Sequence, residues 1–422
     1  MGYFSELDIT KLFGKRIILD VDGTLVFDGQ NHINEKTKIK INNLKKQADI
    51  YLCSNGITER TNQLAKYLGV SFINSHYNKP NKKVMSDLPD TNQDTVVIGD
   101  KYLTDGLMAK SINAHFVKVR RLCSGKEKVV TKIVNYIDDI CYQLLPAIWL
   151  CRPSQWIKNL LVFAPVFFIG KQSTIQEFYS SVIAFFIFTL AASTVYIFND
   201  IKDIEEDKNH PKKQYRPIAS SQVSVKKATL LFVSLLSLLI VALCFNQELS
   251  SIIALYIGLN LLYTHSLKRI PVVDILLVSF FYLLRIVAGG LITGIPLSSW
   301  ILMCTFFSTL FVISGKRRAE YRLDSKRSVL KSYSPKLLDC MIFSTAIITI
   351  VSYGLYSVST QHSSYLFYSS VFVIITITRV LNDIYHKPEL AETPESLIFR
   401  DKWVLASFIT WFIYVFILYY IY

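Results

Sequence analysis

Two different rhythms of apolar and polar positions divide the chain. Up to about residue 122, short apolar runs such as "RIIL", "IYLC" and "TVVIG" alternate with helical patterns at 35–47, 57–68 and 103–112. This alternation predicts buried parallel strands joined by helices, a doubly wound α/β sheet with ligands at its carboxyl edge. From about residue 156 the pattern changes to apolar blocks of membrane-spanning length with short polar breaks. Spans are predicted near 159–170, 178–198, 228–245, 250–263, 272–293, 299–315, 339–357, 364–382 and 403–422, an all-α bundle of nine helices. In between, Val129, Ile133, Ile137 and Ile140 or Cys141 recur at helical spacing. They predict an amphipathic helix that either lies on the membrane surface or serves as a plain linker. The expected domains are therefore 1–122, 123–155 and 156–422.

Charge orients this arrangement. The net charge is +14, but the cations form no basic helix with interleaved aromatics, so nucleic acid is not the expected partner. Twenty Lys and Arg fall in 199–227, 264–271, 316–338 and 383–402, whereas the opposite loops hold only Lys171. The positive-inside bias then predicts a multi-pass protein of the inner (cytoplasmic) membrane, with its first domain in the cytosol. The opening residues show no signal-peptide pattern. Seven cysteines without a CxxC pair predict free thiols.

Each half carries its own chemistry. In the first, strands are predicted to end at "DVDGT" (Asp20, Asp22), at Ser54-Asn55, and at "GDKYLTD" (Asp100, Asp105). Phosphoryl transfer through an aspartate needs a nucleophilic carboxylate, a second acid, a hydroxyl, a cation and carboxylates for Mg²⁺. This ordered set resembles the haloacid dehalogenase-like phosphatases over residues 15 to about 120. The resemblance implies a Rossmann-like fold with Asp20 as nucleophile and Asp22 as general acid/base. It also implies phosphate binding at Ser54 and Asn55, and Mg²⁺ held among Asp20, Asp22, Asp100 and Asp105. The cation is expected to be Lys79, with Lys82 or Lys83 as alternatives. The short spacing between motifs leaves no room for a large cap domain, so a bulky or membrane-tethered phosphate ester fits.

In the second half, "YIFNDIKDIEEDKNHPKKQYRPI" places Asp200, Asp203 and Asp207 at i, i+3 and i+7, with Asn199 beside them. On one helix face these carboxylates would repel one another unless they shared a divalent cation, and oxygen ligands favour Mg²⁺. Lys212, Lys213 and Arg216 follow as cations for phosphate oxygens. A solvated acidic loop would share the acidic run alone, but not what surrounds it. Arg152, Lys158, Lys268, Lys316 and Arg317 ring the predicted cytosolic face, and Arg285 lies deep in a span, where a charge marks a paired or functional site.

These features, with "RPSQWIKN", "LLRIVAGG", "SGKRRAE", "SYS" and "PESLIFRD", resemble the UbiA superfamily of membrane prenyltransferases. Within it they are similar to the decaprenyl-phosphate phosphoribosyltransferases. The resemblance implies 5-phosphoribosyl 1-diphosphate (PRPP) as donor, polyprenyl phosphate as acceptor, and Mg²⁺ in this domain as in the first. Asp200, Asp203 and Asp207, supported by Asn199, would hold the diphosphate metal, and the cations would bind the phosphates. Aromatic prenyltransferases usually carry a second DxxxD motif, but here Asp274 is followed four residues on by Val278. The expected product is a polyprenyl-phosphoryl-ribose 5-phosphate, from which the first domain would remove the 5-phosphate, giving a ribofuranose donor for surface glycans. The alternative is an aromatic prenyltransferase fused to a phosphatidylglycerophosphate-type lipid phosphatase. A transporter would be expected to show internal repeats, and none is evident. A homo-oligomer is compatible with the sequence.

Overall fold

The computed structural model describes residues 2–421 apart from 57, 87, 89–93, 126, 211–212, 324–327, 360–362 and 394–398. Lys212 and the start of "PESLIFRD" lie outside the described residues. The chain divides into two compact units. One comprises residues 1–150 with 203–228, the other 151–202 with 229–422.

The first unit is built on a five-stranded parallel sheet. Its strands are β1 (Arg16–Leu19), β2 (Asp49–Leu52), β3 (Ser71–Phe72), β4 (Thr95–Gly99) and β5 (His115–Lys118), in spatial order β3-β2-β1-β4-β5. β1 pairs with β2 and β4 in register, Leu19 facing both Leu52 and Ile98. All four residues of β1 are buried, as expected of a central parallel strand covered on both faces. Helices α1 (Glu35–Leu44), α2 (Thr58–Leu68) and α3 (Leu107–Ser111) supply the crossovers. Asn34 caps α1 by accepting the Lys36 N–H at 3.0 Å. Between β1 and β2 the described elements comprise α1 alone.

The predicted linker helix is present as α4 (Val129–Leu150). Its Tyr142 ring meets Tyr102 and Phe116 edge-on, with centroids 5.5 and 6.5 Å apart. Its Val130, Val134, Ile137, Leu144 and Ile148 remain exposed. Residues 203–228 also belong to this unit, and Tyr215 packs on His115 of β5 with centroids 4.7 Å apart.

The second unit is helical. Among the described residues, seven helices are long and apolar enough to cross a membrane: Ile175–Lys202, Val225–Phe245, Val273–Thr293, Ser299–Arg322, Pro335–Ser359, Phe367–His386 and Lys402–Tyr420. Two further expected spans take other forms. Residues 153–163 form a tight 3₁₀ run that continues as a short helix, Ala164–Ile169. Ser250–His265 has 16 residues, about 24 Å at 1.5 Å per residue, short of the roughly 30 Å hydrocarbon layer. Phe188, Ala191, Ile253, Tyr256 and Leu284 form one core of the bundle, and Phe311, Ile342, Val380 and Val404 another.

One expectation is corrected at the acidic motif. Asp200, Asp203 and Asp207 do not share a continuous helix, because the long helix ends at Lys202 and Asp203 adopts φ −94°, ψ 17°. A new short helix, Ile204–Lys208, begins there with Glu205, Glu206 and Asp207 in its first turn. Carboxylates are favoured at a helix N-terminus by its exposed N–H groups, so a restart here suits the sequence better than a continuation.

Candidate active sites

The carboxyl edge of the sheet gathers the first site. Asp20 follows directly on β1, β2 leads to Ser54 and Asn55, and Asp100 follows directly on β4, with a turn over Tyr102–Gly106 that carries Asp105. Asp20, Asp100 and Asp105 are buried, and each offers an oxygen within 4.8 Å of the others. Gly23 has φ +78°, and a Cβ there would lie 2.7 Å from an Asp100 oxygen, so the DxDGT turn needs glycine for both its backbone and its closeness to Asp100.

Lys79 reaches into this cluster. Its Nζ lies 2.5 Å from Asp20 Oδ1, 2.5 Å from Asp105 Oδ1 and 3.0 Å from the Cys53 carbonyl oxygen. Lys82 and Lys83 are exposed on a neighbouring turn. Burial alone would lower the Lys79 pKa, but the Asp105 and Asp20 charges outweigh it and hold the ammonium protonated. Burial, then the Asp20 charge, raises Asp100 to about 6 against the pull of Lys101 and Arg121. The same two causes raise Asp105 to about 7 against the pull of Lys79. Crowded oxygen donors that resist ionising together fit a hard divalent cation such as Mg²⁺.

Asp22 stands apart from that triad. Its Oδ1 accepts from Arg60 Nη2 at 2.6 Å and from the Gly29 N–H at 3.0 Å, and its Oδ2 accepts from Ser54 Oγ at 3.1 Å. Burial raises its pKa, yet the Arg60 and Gly29 hydrogen bonds and the Arg60 charge bring it below the ordinary value. Asn55 is committed to the chain: its Oδ1 accepts the Lys79 N–H at 2.7 Å and its Nδ2 donates to the Lys79 carbonyl at 3.0 Å. Both bonds tie Asn55 to the Lys79 backbone. Two arginines escaped the sequence reading. Arg60 holds Asp22, and Arg121 donates from Nε to Asp100 Oδ2 at 2.5 Å. Neither sits in a motif of its own; the signal available was an arginine in the first turn after "SN" and another just past β5.

In the helical unit, Asp200 is buried and pairs with Arg152 at 2.5 Å, and the Arg152 guanidinium lies 4.7 Å from the Tyr196 ring centre. Asn199 Oδ1 accepts from the Thr264 hydroxyl at 2.9 Å. Arg285 is enclosed. Its Nε donates to Asn159 Oδ1 at 2.8 Å, its Nη1 to the Phe281 carbonyl, and its guanidinium lies 5.0–5.5 Å from the Phe188, Tyr256 and Tyr282 rings. Lys158 lies 5.6 Å from the same Tyr282 ring. Asp274 is fully buried, accepting from Arg317 Nε at 2.7 Å and from the Tyr333 hydroxyl at 2.6 Å. Arg317 also bonds Glu320 at 2.8 Å, so this expected phosphate ligand sits inside a buried ion network. Lys268 lies on a turn at Leu267–Arg269, and Lys316 is half-buried on Ser299–Arg322. In the first unit, Asp207 pairs with Arg216 at 2.7 Å and Lys213 at 3.9 Å, and Asp203 is half-buried. The carboxylate oxygens of the acidic motif are of the type that suits Mg²⁺.

Comparison with known proteins shows what each half of the chain is similar to. Residues 160–400 match the model of the UbiA prenyltransferase family, and residues 7–122 match that of the mitochondrial PGP phosphatases. A decaprenyl-phosphate phosphoribosyltransferase of Mycolicibacterium smegmatis is 34% identical over 281 residues, 62% of this chain and 88% of the relative. That of Corynebacterium glutamicum is 38% identical over 225 residues, 50% of this chain and 68% of the relative. A solved UbiA homolog from Archaeoglobus fulgidus, bound to GPP and Mg²⁺, shares the fold at 19% identity and a TM-score of 0.50, covering 64% of this chain and 99% of that one. These matches and the seven apolar helices make the protein a multi-pass membrane enzyme with a transferase domain and a phosphatase-type domain. By the extent and identity of these matches, the chain belongs to the UbiA prenyltransferase family.

Proposed function

We propose that the protein transfers 5-phosphoribosyl from PRPP to a polyprenyl phosphate and then removes the 5-phosphate, giving polyprenyl-phosphoryl-ribose. The observation that carries this reading is a buried Asp20–Lys79–Asp100–Asp105 cluster on the same chain as a domain similar to phosphoribosyltransferases. The first product would end in a phosphomonoester, which is what such a cluster is suited to cleave.

In the transferase, the diphosphate leaves C1 of the ribose as positive charge builds on the ring, and an oxygen of the lipid phosphate attacks. The acceptor is already anionic, so a strong general base is not required. Arg152, Lys158, Lys213, Arg216, Lys268, Arg285 and Lys316 are the cations proposed to hold the phosphates and take up the departing charge. Asp200, Asp203 and Asp207 would hold Mg²⁺, which when bound neutralises diphosphate oxygens. In the phosphatase, Asp20 attacks phosphorus and forms an aspartyl phosphate. Asp22, which its Arg60 and Gly29 bonds hold ionised, takes up a proton before giving it to the leaving ribose oxygen and then takes one from the hydrolytic water. Ser54 binds a phosphate oxygen, and Lys79 orients Asp20 through the bond to its Oδ1. Asp20, Asp100 and Asp105 would hold the second Mg²⁺, which supplies charge to the phosphoryl oxygens. Both sites are proposed to face the cytosol.

The test incubates purified protein with PRPP, Mg²⁺ and undecaprenyl phosphate and weighs the lipid products. Asp200→Asn should abolish both ribosylated lipids, and Asp20→Asn should accumulate the 5-phosphorylated one. An unchanged product ratio in Asp20→Asn would remove the first domain from the reaction. The match of residues 7–122 to PGP phosphatases favours a second reading, in which that domain hydrolyses phosphatidylglycerophosphate. Turnover of that lipid, with no cleavage of the ribose 5-phosphate, would establish it.

A further inference from the structure

Helix α4 lies outside the stretch that matches the phosphatase family, residues 7–122. It nevertheless delivers one side chain to the turn that carries Asp105 and to Arg121, which bonds Asp100. Asp138 is 2% exposed. Its Oδ2 accepts the Tyr102 N–H at 3.0 Å and its Oδ1 accepts the Leu103 N–H at 2.8 Å. These N–H groups open the Tyr102–Gly106 turn, whose fourth residue is Asp105. At the start of a helical turn they have no intrahelical acceptor, and a carboxylate supplies one. A second connection runs to Asp100. Arg121 Nη2 lies 3.4 Å from Asp138 Oδ2 and 3.2 Å from the Asp100 carbonyl oxygen, while its Nε donates to Asp100 Oδ2 at 2.5 Å. Lys118 Nζ, 3.2 Å from Asp138, completes the set. A carboxylate this deeply buried is tolerated only when donors and cations surround it, and these four partners belong to the carboxylate-bearing turn or to β5 and the residues after it.

We infer that Asp138 is a positioning residue of the phosphatase site, fixing the Tyr102–Gly106 turn and the Arg121 guanidinium and, through them, Asp105 and Asp100 against Asp20. The linker helix is on this account a working part of the phosphatase, and a domain cut at residue 122 lacks the clamp on two of its metal-binding carboxylates. The inference rests on the phosphatase reading of the first domain. Asp139 provides an internal comparison. It is more than half exposed and bonds Lys118 at 2.7 Å, without a bond to the turn's backbone.

The test uses full-length protein in detergent with Asp138→Asn, Asp138→Ala and Asp139→Asn. p-Nitrophenyl phosphate hydrolysis is followed against Mg²⁺ and against ester concentration, and amide exchange is measured without metal over the peptide spanning 102–105. Outer-shell partners of metal ligands typically contribute about 10–100-fold in metal affinity. Asp138→Ala should therefore raise the half-saturating Mg²⁺ about tenfold or more with the ester KM within about twofold, and should speed exchange at Tyr102 and Leu103. Asp139→Asn should resemble wild type, and phosphoribosyl transfer should persist in all three. Unchanged Mg²⁺ dependence and unchanged exchange in Asp138→Ala would overturn the inference, as would simultaneous loss of the transferase, which would mark general unfolding. Where Asp138→Ala does not survive purification, Asp138→Asn decides, since it keeps the volume and one acceptor oxygen. If wild type hydrolyses no phosphomonoester, the phosphatase reading fails, and amide exchange still decides the clamp.

Discussion

At the residue scale, the first site is a problem of crowded charge. Three buried carboxylates approach one another and Lys79 compensates part of their repulsion, with Asp100 raised to about 6 and Asp105 to about 7. A raised carboxylate pKa means that the folded protein holds the proton to higher pH, so below that pH a metal must displace it. The half-saturating Mg²⁺ of phosphatase activity should therefore rise as pH falls from 8 through about 7 to 6, and level off at higher pH. A Mg²⁺ titration at each pH checks this, and a half-saturation flat from pH 6 to 8 would refute the proton competition. The ordered DxDGT, SN and GDxxxTD motifs made Asp20, Asp22, Ser54, Asp100 and Asp105 legible in the chain. Lys79 could not be separated from Lys82 and Lys83 that way, because a lone lysine carries no spacing rule and only the fold shows which ammonium meets Asp20. Arg60, Arg121 and Asp138 were hidden for the same reason, each acting on a partner many positions away.

At the element scale, the apolar blocks were readable because a span must satisfy its own backbone and present apolar side chains over a fixed length. The exceptions fall where neighbours decide. Residues 153–163 wind as a 3₁₀ run against Val273–Thr293, and a Cβ at Gly289 would lie 2.0 Å from the Val162 carbonyl oxygen. Glycine there lets the two backbones touch, as small residues do between membrane helices. Gly289→Val should overpack this contact at a cost of about 1–3 kcal/mol. Gly258→Val, where a Cβ would meet nothing within 4 Å, should be close to neutral for packing. Thermal unfolding of the detergent-solubilised proteins compares the two, and equal midpoints would show that the Gly289 contact does not constrain the bundle. The break at Asp203 belongs to this scale as well. A period of 3.6 residues places three aspartates on one face only if the helix continues, and here one helix ends at Lys202 and another begins at Ile204.

At the scale of the whole molecule, two proposed activities share one chain, and the intermediate between them is anchored to lipid. A membrane-bound phosphatase sees that intermediate at a raised effective concentration, and an enzyme in a separate vesicle does not see it at all. Asp20→Asn and Asp200→Asn proteins in separate proteoliposomes should yield only the 5-phosphorylated lipid when mixed with PRPP, whereas the same pair reconstituted together should yield the dephosphorylated product. Lipid mass spectrometry distinguishes the cases, and dephosphorylation across separate vesicles would mean that the phosphatase acts on a soluble species.

The chain by itself determined the division into an α/β domain and a membrane bundle, the order of the strands along the chain, most of the spans and the carboxylates that end the strands. These follow from local periodicity and from short motifs whose members are neighbours in sequence. Only the tertiary structure shows that Lys79 is the lysine that meets Asp20, that Asn55 bonds the Lys79 backbone, that Asp274 meets Arg317 and Tyr333, and that Asp138 on the linker helix grips the Tyr102–Gly106 turn. Those are pairings across tens of residues. Charge and hydrogen-bond partners are chosen by distance in space, a quantity that no pattern along one dimension contains.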